Sequence, residues 1–369
     1  MDRQYRHSML VETTHDELAR QHFVLRLRQY VAGDMMPGLS DVYCRAVEPG
    51  FVREHGRPPK DRREVSRAME RHPYLQAWSS LNVSTQRMIW ASVQDSVDRQ
   101  IGNLNRKAKV RTPRGSVRVD PDMPIPRYIS AVDIHAMPGN YHTLYGEDDV
   151  YQGALYDRGA YLYAMGGRGP LHDSYGHDVI AYLRGARPDF KPRRILDMGC
   201  GVGSATGPLA KEFPKSEVHG IDIGGAMIRY AHARAEALDL KIHFSQQNME
   251  RTDFEDESFD LVYSCIAMHE TSSKALRNYL RETERLLRPG GMAVHVEFAN
   301  YAGKTPYEQH VGDWNTHYNA EPFINTLGDT DWKGEAVRAG FSANAVSVVP
   351  MSDYLPGHFH FVLDCRKPE

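Results

Sequence analysis

One nine-residue stretch constrains the fold of this chain more than any other. An apolar run ends at Leu196, and glycines then alternate at Gly199, Gly201 and Gly203 before a helix-compatible segment, 204–213. A strand, a tight glycine turn and a helix start bring backbone N–H groups close to a nucleotide-like ligand. The stretch therefore predicts an α/β fold with a ligand at the end of this strand.

The acidic residues around the loop narrow the choice of ligand. A second apolar strand, 218–221, leads into Asp222, 19 residues after the last glycine, where a carboxylate can accept hydrogen bonds from both ribose hydroxyls. A dinucleotide fingerprint spaces its glycines differently, and a P-loop ends in Gly-Lys-Ser/Thr, which is missing here. Asp197 stands two residues before the first glycine and would repel a phosphate, but not a cationic ligand.

Four segments, in order, resemble the class I S-adenosylmethionine (SAM)-dependent methyltransferases of the small-molecule type. They are the glycine loop, the ribose-binding strand end, the adenine-binding turn with the next strand, and a Pro-Gly-Gly loop, at 196–203, 220–223, 247–262 and 286–291. The resemblance implies a doubly wound, seven-stranded, mostly parallel sheet, SAM as methyl donor and S-adenosylhomocysteine as product. Asn248 stands where the family often has Asp, but its carbonyl can still accept a hydrogen bond from the adenine amino group.

The resemblance also implies which residues contact SAM. The three glycines approach its amino-acid end, Asp197 lies near its ammonium group, and Asp222 takes the ribose hydroxyls. The rest of the expected cofactor site consists of Ile223, Met227, Asn248, Met249 and Cys265. Ordinary core packing is the alternative for the two methionines.

His269 and Glu270 are the candidate catalytic residues, because they follow the strand that ends at Cys265. Ligands of open parallel sheets bind at the carboxyl ends of the strands, so a histidine there suits a general base near the acceptor. Glu270 would orient this histidine or bind a cationic substrate group. The alternatives are a histidine that caps the next helix or only lines the loop. A metal site with His295 and Glu297 is conceivable, but no metal is expected, since the carboxylate-rich set of metal-assisted catechol methyltransferases is not matched.

Two aromatic segments are expected to cover the acceptor. A tyrosine-rich stretch near 141–170 and a segment near 301–330 are predicted as substrate lids. The expected substrate contacts are Tyr141, Tyr145, Glu297, Trp314, His317 and Tyr318. An equally open alternative is that the aromatic residues pack two domains together.

With 369 residues, the chain is long for one methyltransferase fold, so two domains are expected. Residues 1–140 are predicted to form a mainly helical domain that covers the pocket or mediates homodimerisation, with a Pro-rich linker at 111–140. Residues 141–369 would form the SAM-binding methyltransferase domain.

Within the N-terminal region, helices are predicted at 14–32, 61–72 and 84–105. The last of these has an apolar face and Ser84 as its candidate N-cap.

Composition and missing motifs limit location and partners. The four cysteines are scattered, the first residues lack an apolar core, and no apolar run approaches 18 residues, so a cytoplasmic protein without membrane contact is expected. The strand that ends at Cys265 lacks the Asp/Asn-Pro-Pro-aromatic motif of nucleobase amino-methylation. The region after residue 120 is also net acidic, so nucleic acid is not expected as a partner.

The sequence therefore predicts methyl transfer to a small-molecule acceptor. Oxygen is favoured because His269 offers a base, with nitrogen or sulfur close behind. Two alternatives stay open. One is a methyltransferase fold that binds SAM without transferring methyl, as a scaffold or cyclase. The other is methylation of a protein or a carrier-bound acyl group.

Overall fold

The centre of the molecule is one eight-stranded sheet. The computed structural model describes residues 3–298 and 300–369. The strands are β1 (Ser116–Arg118), β2 (Arg194–Met198), β3 (Glu217–Asp222), β4 (His243–Gln246), β5 (Phe259–Cys265), β6 (Leu287–Glu297), β7 (Val346–Pro350) and β8 (Phe361–Arg366). Their spatial order is β1-β4-β3-β2-β5-β6-β8-β7, and β8 runs antiparallel to both neighbours while all other pairs are parallel.

Helices cover the sheet and fill most of the N-terminal region. They are α1 (His15–Tyr30), α2 (Met36–Val42), α3 (Glu48–His55), α4 (Arg62–Met69), α5 (Pro73–Asp98), α6 (Ile101–Ala108), α7 (Arg127–Ser130), α8 (Tyr151–Tyr163), α9 (Ser174–Ala186), α10 (Thr206–Glu212), α11 (Gly225–Ala237), α12 (Ser273–Leu286), α13 (Pro306–Tyr318), α14 (Ile324–Gly328) and α15 (Trp332–Ala339). Among the described residues, no helix combines the length and the apolar character that a membrane span requires.

Successive residues of β2 show how the sheet separates two apolar layers. Ile195 packs into the layer that holds residues of α9, α10 and α11, whereas Leu196 packs into the layer that holds residues of α12 and α15. Side chains alternate between the faces of a strand, so a continuous apolar run indicates burial on both faces. The doubly wound, mostly parallel fold predicted from the sequence is thus confirmed, with eight strands instead of seven.

The additional strand comes from the Pro-rich segment. Residues of β1 pair in parallel with β4, beginning with Ser116 opposite His243. A Cβ atom at Gly115 would collide with the backbone carbonyl of Ile242, so glycine is required for this approach. The Glu236 carboxylate accepts the Gly115 N–H at 2.8 Å and helps to hold the edge strand. Three exposed residues are too few to show an alternating pattern, which explains why the strand was not predicted.

The predicted helix at 84–105 is really two helices, and it begins earlier. His72 caps α5 with its Nδ1, which accepts the Tyr74 N–H at 3.2 Å, and proline at the first helical position favours this start. Ser84 is not an N-cap, because it lies inside α5, where its hydroxyl donates to the Ser80 carbonyl at 2.7 Å. The helices predicted at 14–32 and 61–72 correspond to α1 and α4.

A buried polar network joins the first residues of the chain to the sheet-covering helices. Asp157 of α8 contacts His7 Nε2 at 3.0 Å, the Tyr230 hydroxyl at 2.8 Å and Arg234 Nε at 3.4 Å. Burial alone would raise the pKa of Asp157, but Arg234 and His7 outweigh it and hold the pKa below its usual range. Helix α8 therefore lies between the N-terminal helices and α11. The predicted boundary at residue 140 stays a prediction.

Candidate functional site

The glycine loop after β2 adopts a backbone that only glycine tolerates well. Gly199, Gly201 and Gly203 have φ angles of +80°, +53° and +72°. A Cβ atom at Gly199 would lie 2.8 Å from the Ala267 Cβ, so the loop packs directly against the segment that follows β5. The loop thus presents bare backbone, as a nucleoside ligand requires.

Asp222 closes the other side of this loop. Its Oδ2 accepts the Gly201 N–H and its Oδ1 accepts the Gly224 N–H, each at 2.9 Å. Burial raises the pKa of Asp222, while these backbone donors oppose the rise. Each carboxylate oxygen keeps a lone pair for a ribose hydroxyl. The loop and Asp222 therefore fit the adenosyl group that the sequence motifs imply.

Asp197 lies behind the glycine loop and is almost fully buried. Its Oδ2 accepts the hydroxyls of Thr206 at 2.6 Å and Tyr263 at 2.9 Å. Burial raises the pKa of Asp197 to about 7, against the two hydroxyl donors. A cationic ligand would therefore favour the ionised form of this carboxyl group near neutral pH.

Two of the expected cofactor residues, Met227 and Met249, lie beside the glycine loop. The Met227 methyl group lies 3.7 Å from the position of a Cβ on Gly201, and the Met249 methyl group lies 3.8 Å from that on Gly199. Ile223 directly follows β3, Asn248 accepts the Glu250 N–H at 2.9 Å, and Cys265 ends β5. Their contacts with the cofactor stay predictions.

A buried cluster of two histidines and three glutamates lies beyond the loop. The His–Glu cluster comprises His135, His269, Glu270, Glu297 and Glu321. His269 Nδ1 lies 3.0 Å from both Glu297 oxygens, and its Nε2 lies 3.5 Å from Glu270 Oε1 and 4.0 Å from Glu321 Oε2. His135 Nε2 lies 3.1 Å from Glu270 Oε1, and its Nδ1 lies 3.1 Å from Glu321 Oε1.

The charges of the cluster perturb each other strongly. Burial would lower the pKa of His269, but Glu297 and Glu270 outweigh it and hold the pKa well above its usual value. The pKa of His135 is also raised, because Glu321 and Glu270 outweigh burial. The pKa of Glu270 is lowered by His269 and His135, against the effect of burial. Both predicted catalytic residues, His269 and Glu270, thus belong to this cluster.

Tyr141 connects the cluster to the segment that follows Asp222. Its hydroxyl donates to Glu270 Oε1 at 3.2 Å, and its ring packs edge-on against Tyr156 with centroids 5.9 Å apart. Its backbone carbonyl packs on Gly224, two residues after Asp222. The predicted substrate residue Tyr141 therefore touches both parts of the site.

The other predicted aromatic contacts lie elsewhere. Tyr145 is 65% exposed and packs on Tyr151. Trp314 packs on Trp78 of α5 and donates its indole N–H to Ser79 at 2.8 Å, while Tyr318 is 53% exposed. His317 is also exposed. The structure does not bring these side chains to the cluster, and Trp314 instead joins α13 to α5.

Glu297 and two unpredicted residues complete the cluster. Glu297 is fully buried, and its carboxylate contacts His269 and accepts the Phe298 N–H at 2.8 Å. His135 was missed because it is an isolated histidine in a Pro-rich segment, and Glu321 lay unremarked in the second aromatic segment. Neither position carries a local signal of function.

Comparison with known proteins agrees with the geometry. Residues 195–291 match the family described as a methyltransferase domain. The chain is 34% identical over 117 residues to a malonyl-[acyl-carrier protein] O-methyltransferase of Halorhodospira halophila, covering 32% of this chain and 38% of that protein. It is 30% identical over 169 residues to the Methylococcus capsulatus enzyme of that name, covering 44% and 58%. The chain thus spans less than two thirds of these relatives.

Solved structures also include partial matches to this chain. A SAM-dependent methyltransferase from Aquifex aeolicus superposes with a TM-score of 0.35 and 20% identity, covering 47% of this chain and 81% of that one. The sequence motifs, the glycine-loop geometry and the matched family agree for the central segment of the chain. Residues 195–291 are thus similar to SAM-dependent methyltransferases, and SAM is the cofactor that this similarity indicates.

Proposed function

We propose that the protein transfers a methyl group from SAM to an oxygen atom of a small-molecule acceptor. The single observation that supports this most is the position of the His–Glu cluster beside the glycine loop. Ala267 packs against Gly199, and His269 follows two residues later at the carboxyl end of β5. An acceptor held between them would meet a proton-accepting group next to the methyl donor.

SAM supplies an electrophilic methyl group when it is bound. The chain's own task is then to align the acceptor, exclude water and manage the acceptor's proton. Gly199, Gly201 and Gly203 would hold the amino-acid end by backbone contacts, and Asp222 the ribose. Tyr141 would fix the acceptor side, since it touches both Glu270 and Gly224, which lies two residues after Asp222.

His269 is the residue best suited to accept the proton of the acceptor. Glu297 engages Nδ1, so Nε2 is the nitrogen that faces the rest of the cluster. The surrounding carboxylates make neutral His269 a stronger base than a free imidazole. His269 would take the hydroxyl proton as the methyl group moves in protein whose His269 Nε2 carries neither a proton nor an ion.

A carrier-bound acyl acceptor is the second candidate. The names of the two relatives, each a malonyl-[acyl-carrier protein] O-methyltransferase, favour it, and methylation of a carboxyl oxygen would use the same site. Residues 1–120 hold 21 Lys and Arg against 14 Asp and Glu, a net charge of +7, and could then bind an anionic surface of such a carrier. Homodimerisation through that region stays a prediction.

The test combines binding with product detection. Calorimetric titration with SAM and S-adenosylhomocysteine comes first, followed by mass spectrometry of a metabolite extract incubated with the protein and methyl-labelled SAM. Binding together with one labelled O-methyl product is the expected result. A label found only on an acyl carrier would favour the second candidate. Binding without release of S-adenosylhomocysteine in either assay would contradict methyl transfer and favour a non-transferring SAM-binding protein.

A further inference from the structure

Three potential ligand atoms converge inside the His–Glu cluster. Glu270 Oε1 lies 3.1 Å from His135 Nε2 and 3.5 Å from His269 Nε2, and the ligand atoms of these three residues all lie within 4.8 Å of one another. Two atoms that each bind one ion at roughly 2.0–2.2 Å lie at most about 4.4 Å apart, so the spacings of Glu270 Oε1 from the two Nε2 atoms suit a shared ion. The Tyr141 hydroxyl also reaches Glu270 Oε1, at 3.2 Å.

The Nδ1 atoms of both histidines face carboxylates. His269 Nδ1 lies 3.0 Å from both oxygens of Glu297, and His135 Nδ1 lies 3.1 Å from Glu321 Oε1. An ionised carboxylate only accepts hydrogen bonds, so Glu297 and Glu321 favour a proton on each Nδ1 atom. The Asn319 amide nitrogen, 3.2 Å from His135 Nδ1, also contacts the Glu321 carboxylate. Metal-bound histidines commonly show this arrangement, with the second nitrogen donating to a carboxylate.

The Nε2 atoms of His135 and His269 then need positive charge between them and Glu270. If both histidines were neutral, two Nε2 lone pairs would face an anionic oxygen in a buried site, which is unfavourable. Two protons would resolve this, and one divalent cation would supply the same charge at the same place. Either two protons or one divalent cation can therefore occupy the space between the Nε2 atoms and Glu270.

We propose that His135 Nε2, His269 Nε2 and Glu270 Oε1 bind a first-row divalent transition-metal ion. Two imidazoles with one carboxylate suit Zn²⁺, Fe²⁺ or Co²⁺, whereas Mg²⁺ and Ca²⁺ prefer oxygen ligands alone. This arrangement leaves coordination positions open for water or for the acceptor. The ion would replace the two protons without changing the net charge of the cluster.

Unsatisfied buried atoms support a ligand at this place. Among the described residues, Glu270 Oε2 and Glu321 Oε2 are buried and have no hydrogen-bond partner. Glu270 and Glu321 retain only 10% and 3% of their side-chain exposure, so these oxygens are costly to leave unpaired. A metal-bound water would satisfy such oxygens.

The backbone also holds one ligand in an unusual conformation. His135 has φ of +56°, and its carbonyl accepts the Gln86 side-chain amide at 2.7 Å and the Trp90 indole N–H at 2.9 Å. A left-handed histidine costs free energy unless its surroundings fix it. Helix α5 therefore fixes His135 in the orientation that the site needs.

Metal binding has a consequence for the acceptor, and this part rests on the proposed function. An ion with an open position would bind the acceptor oxygen and lower its pKa. A nitrogen that binds the ion takes no proton, so His269 would act as a ligand in the metal-bound protein and as a base only without metal. Binding itself requires no methyl transfer.

The test titrates the full-length, EDTA-treated protein with Zn²⁺ by calorimetry in buffers of different ionisation enthalpy. We expect one ion per chain and about two protons released per ion, because the ion displaces the protons of both histidines. His135→Gln and Glu270→Gln should weaken Zn²⁺ affinity at least ~10-fold. His15→Gln, at a histidine whose side chain is 95% exposed, is the matched control and should bind as the wild type does.

Equal Zn²⁺ affinity in wild type, His135→Gln and Glu270→Gln would overturn the site, as would a wild type that binds no ion. If a variant does not fold, wild type with Co²⁺ decides. Visible absorption bands that appear at one equivalent, and that one equivalent of Zn²⁺ removes, support the site, whereas their absence contradicts it. Zn²⁺ binding without methyl transfer would refute the proposed function alone, and methyl transfer without Zn²⁺ binding would refute the metal site alone.

Discussion

The glycine loop and the His–Glu cluster are neighbours in space but arise from the sequence in opposite ways. The loop comes from one short segment whose backbone geometry is written in its glycines, all with positive φ. The cluster assembles residues from 135 to 321, and each histidine contacts a glutamate that is distant from it in the sequence. A site built from one segment can be identified from its pattern, whereas a site built by topology requires the fold. The predictions below ask whether the two regions also contribute differently to function.

The largest expected effect concerns the cluster and turnover. His269→Gln should lower turnover by roughly 10²-fold, because it removes the group that handles the acceptor's proton, either as base or as metal ligand. The affinity for S-adenosylhomocysteine should stay unchanged, since His269 belongs to the cluster and not to the loop. Single-turnover kinetics with calorimetry measures both quantities, and His15→Gln is the control. A variant with wild-type turnover would remove His269 from the mechanism.

The second prediction is the converse for the loop. Asp222→Asn should weaken S-adenosylhomocysteine binding at least tenfold, from the loss of charge-assisted hydrogen bonds of about 1.5–3 kcal/mol. The variant also places an amide NH₂ against one of the N–H groups of Gly201 and Gly224. Asp41→Asn, at an exposed helical position, should bind normally. Unchanged affinity in a folded Asp222→Asn protein would contradict the ribose assignment.

The sequence identified candidate site residues where they stand next to a recognisable strand end. Three glycines, Asp222 and the His269-Glu270 pair stand directly at strand ends, and the ends of neighbouring parallel strands meet at one edge of the sheet. The structure places the glycine loop against Ala267, two residues before His269, and the roles of these residues stay predictions. The mostly parallel fold was predicted for the same reason, because apolar runs report burial on both faces of each strand.

The misses share a physical cause. His135 lies in a Pro-rich segment, and nothing in its neighbourhood shows that α5 holds its carbonyl through Trp90. Trp314 was predicted as a substrate contact, with packing between domains as an equal alternative, and in the structure it packs against Trp78. Composition reports that a side chain is apolar, but only tertiary contacts decide which surface it covers.

The third prediction uses pH to test the role of Asp197, which lies behind the glycine loop. Burial raises the pKa of Asp197 to about 7, so its carboxyl is partly protonated at neutral pH. If it pairs with the ligand's ammonium group, S-adenosylhomocysteine affinity should rise as pH increases from 6 to 8, because the ionised form binds better. Asp197→Asn should lower affinity about tenfold at pH 8. It should also flatten the pH dependence measured by calorimetry.

The Asp197→Asn variant is well matched to the wild type. The asparagine carbonyl can still accept the Thr206 and Tyr263 hydroxyls, so packing should persist. The raised pKa also predicts a stability effect. The folded state binds more protons than the unfolded state between the unfolded pKa and about 7, so wild-type stability falls as pH rises through that window. A variant that keeps the wild-type pH dependence would exclude Asp197 as the source of both effects.

The smallest expected effect tests whether the N-terminal helices serve the cluster. Trp90→Phe removes the indole donor to the His135 carbonyl, one of two that hold this residue in its left-handed conformation. The loss of one hydrogen bond of about 1 kcal/mol should weaken Zn²⁺ binding about fivefold. Trp78→Phe is the control, since it also shortens a buried tryptophan of α5, and the Trp78 Nε1 has no hydrogen-bond partner among the described residues. Similar Zn²⁺ affinities in the two variants, at equal thermal stability, would mean that α5 supports the fold without positioning His135. A selective loss in Trp90→Phe would instead make the N-terminal helices part of the site, which the glycine loop does not require.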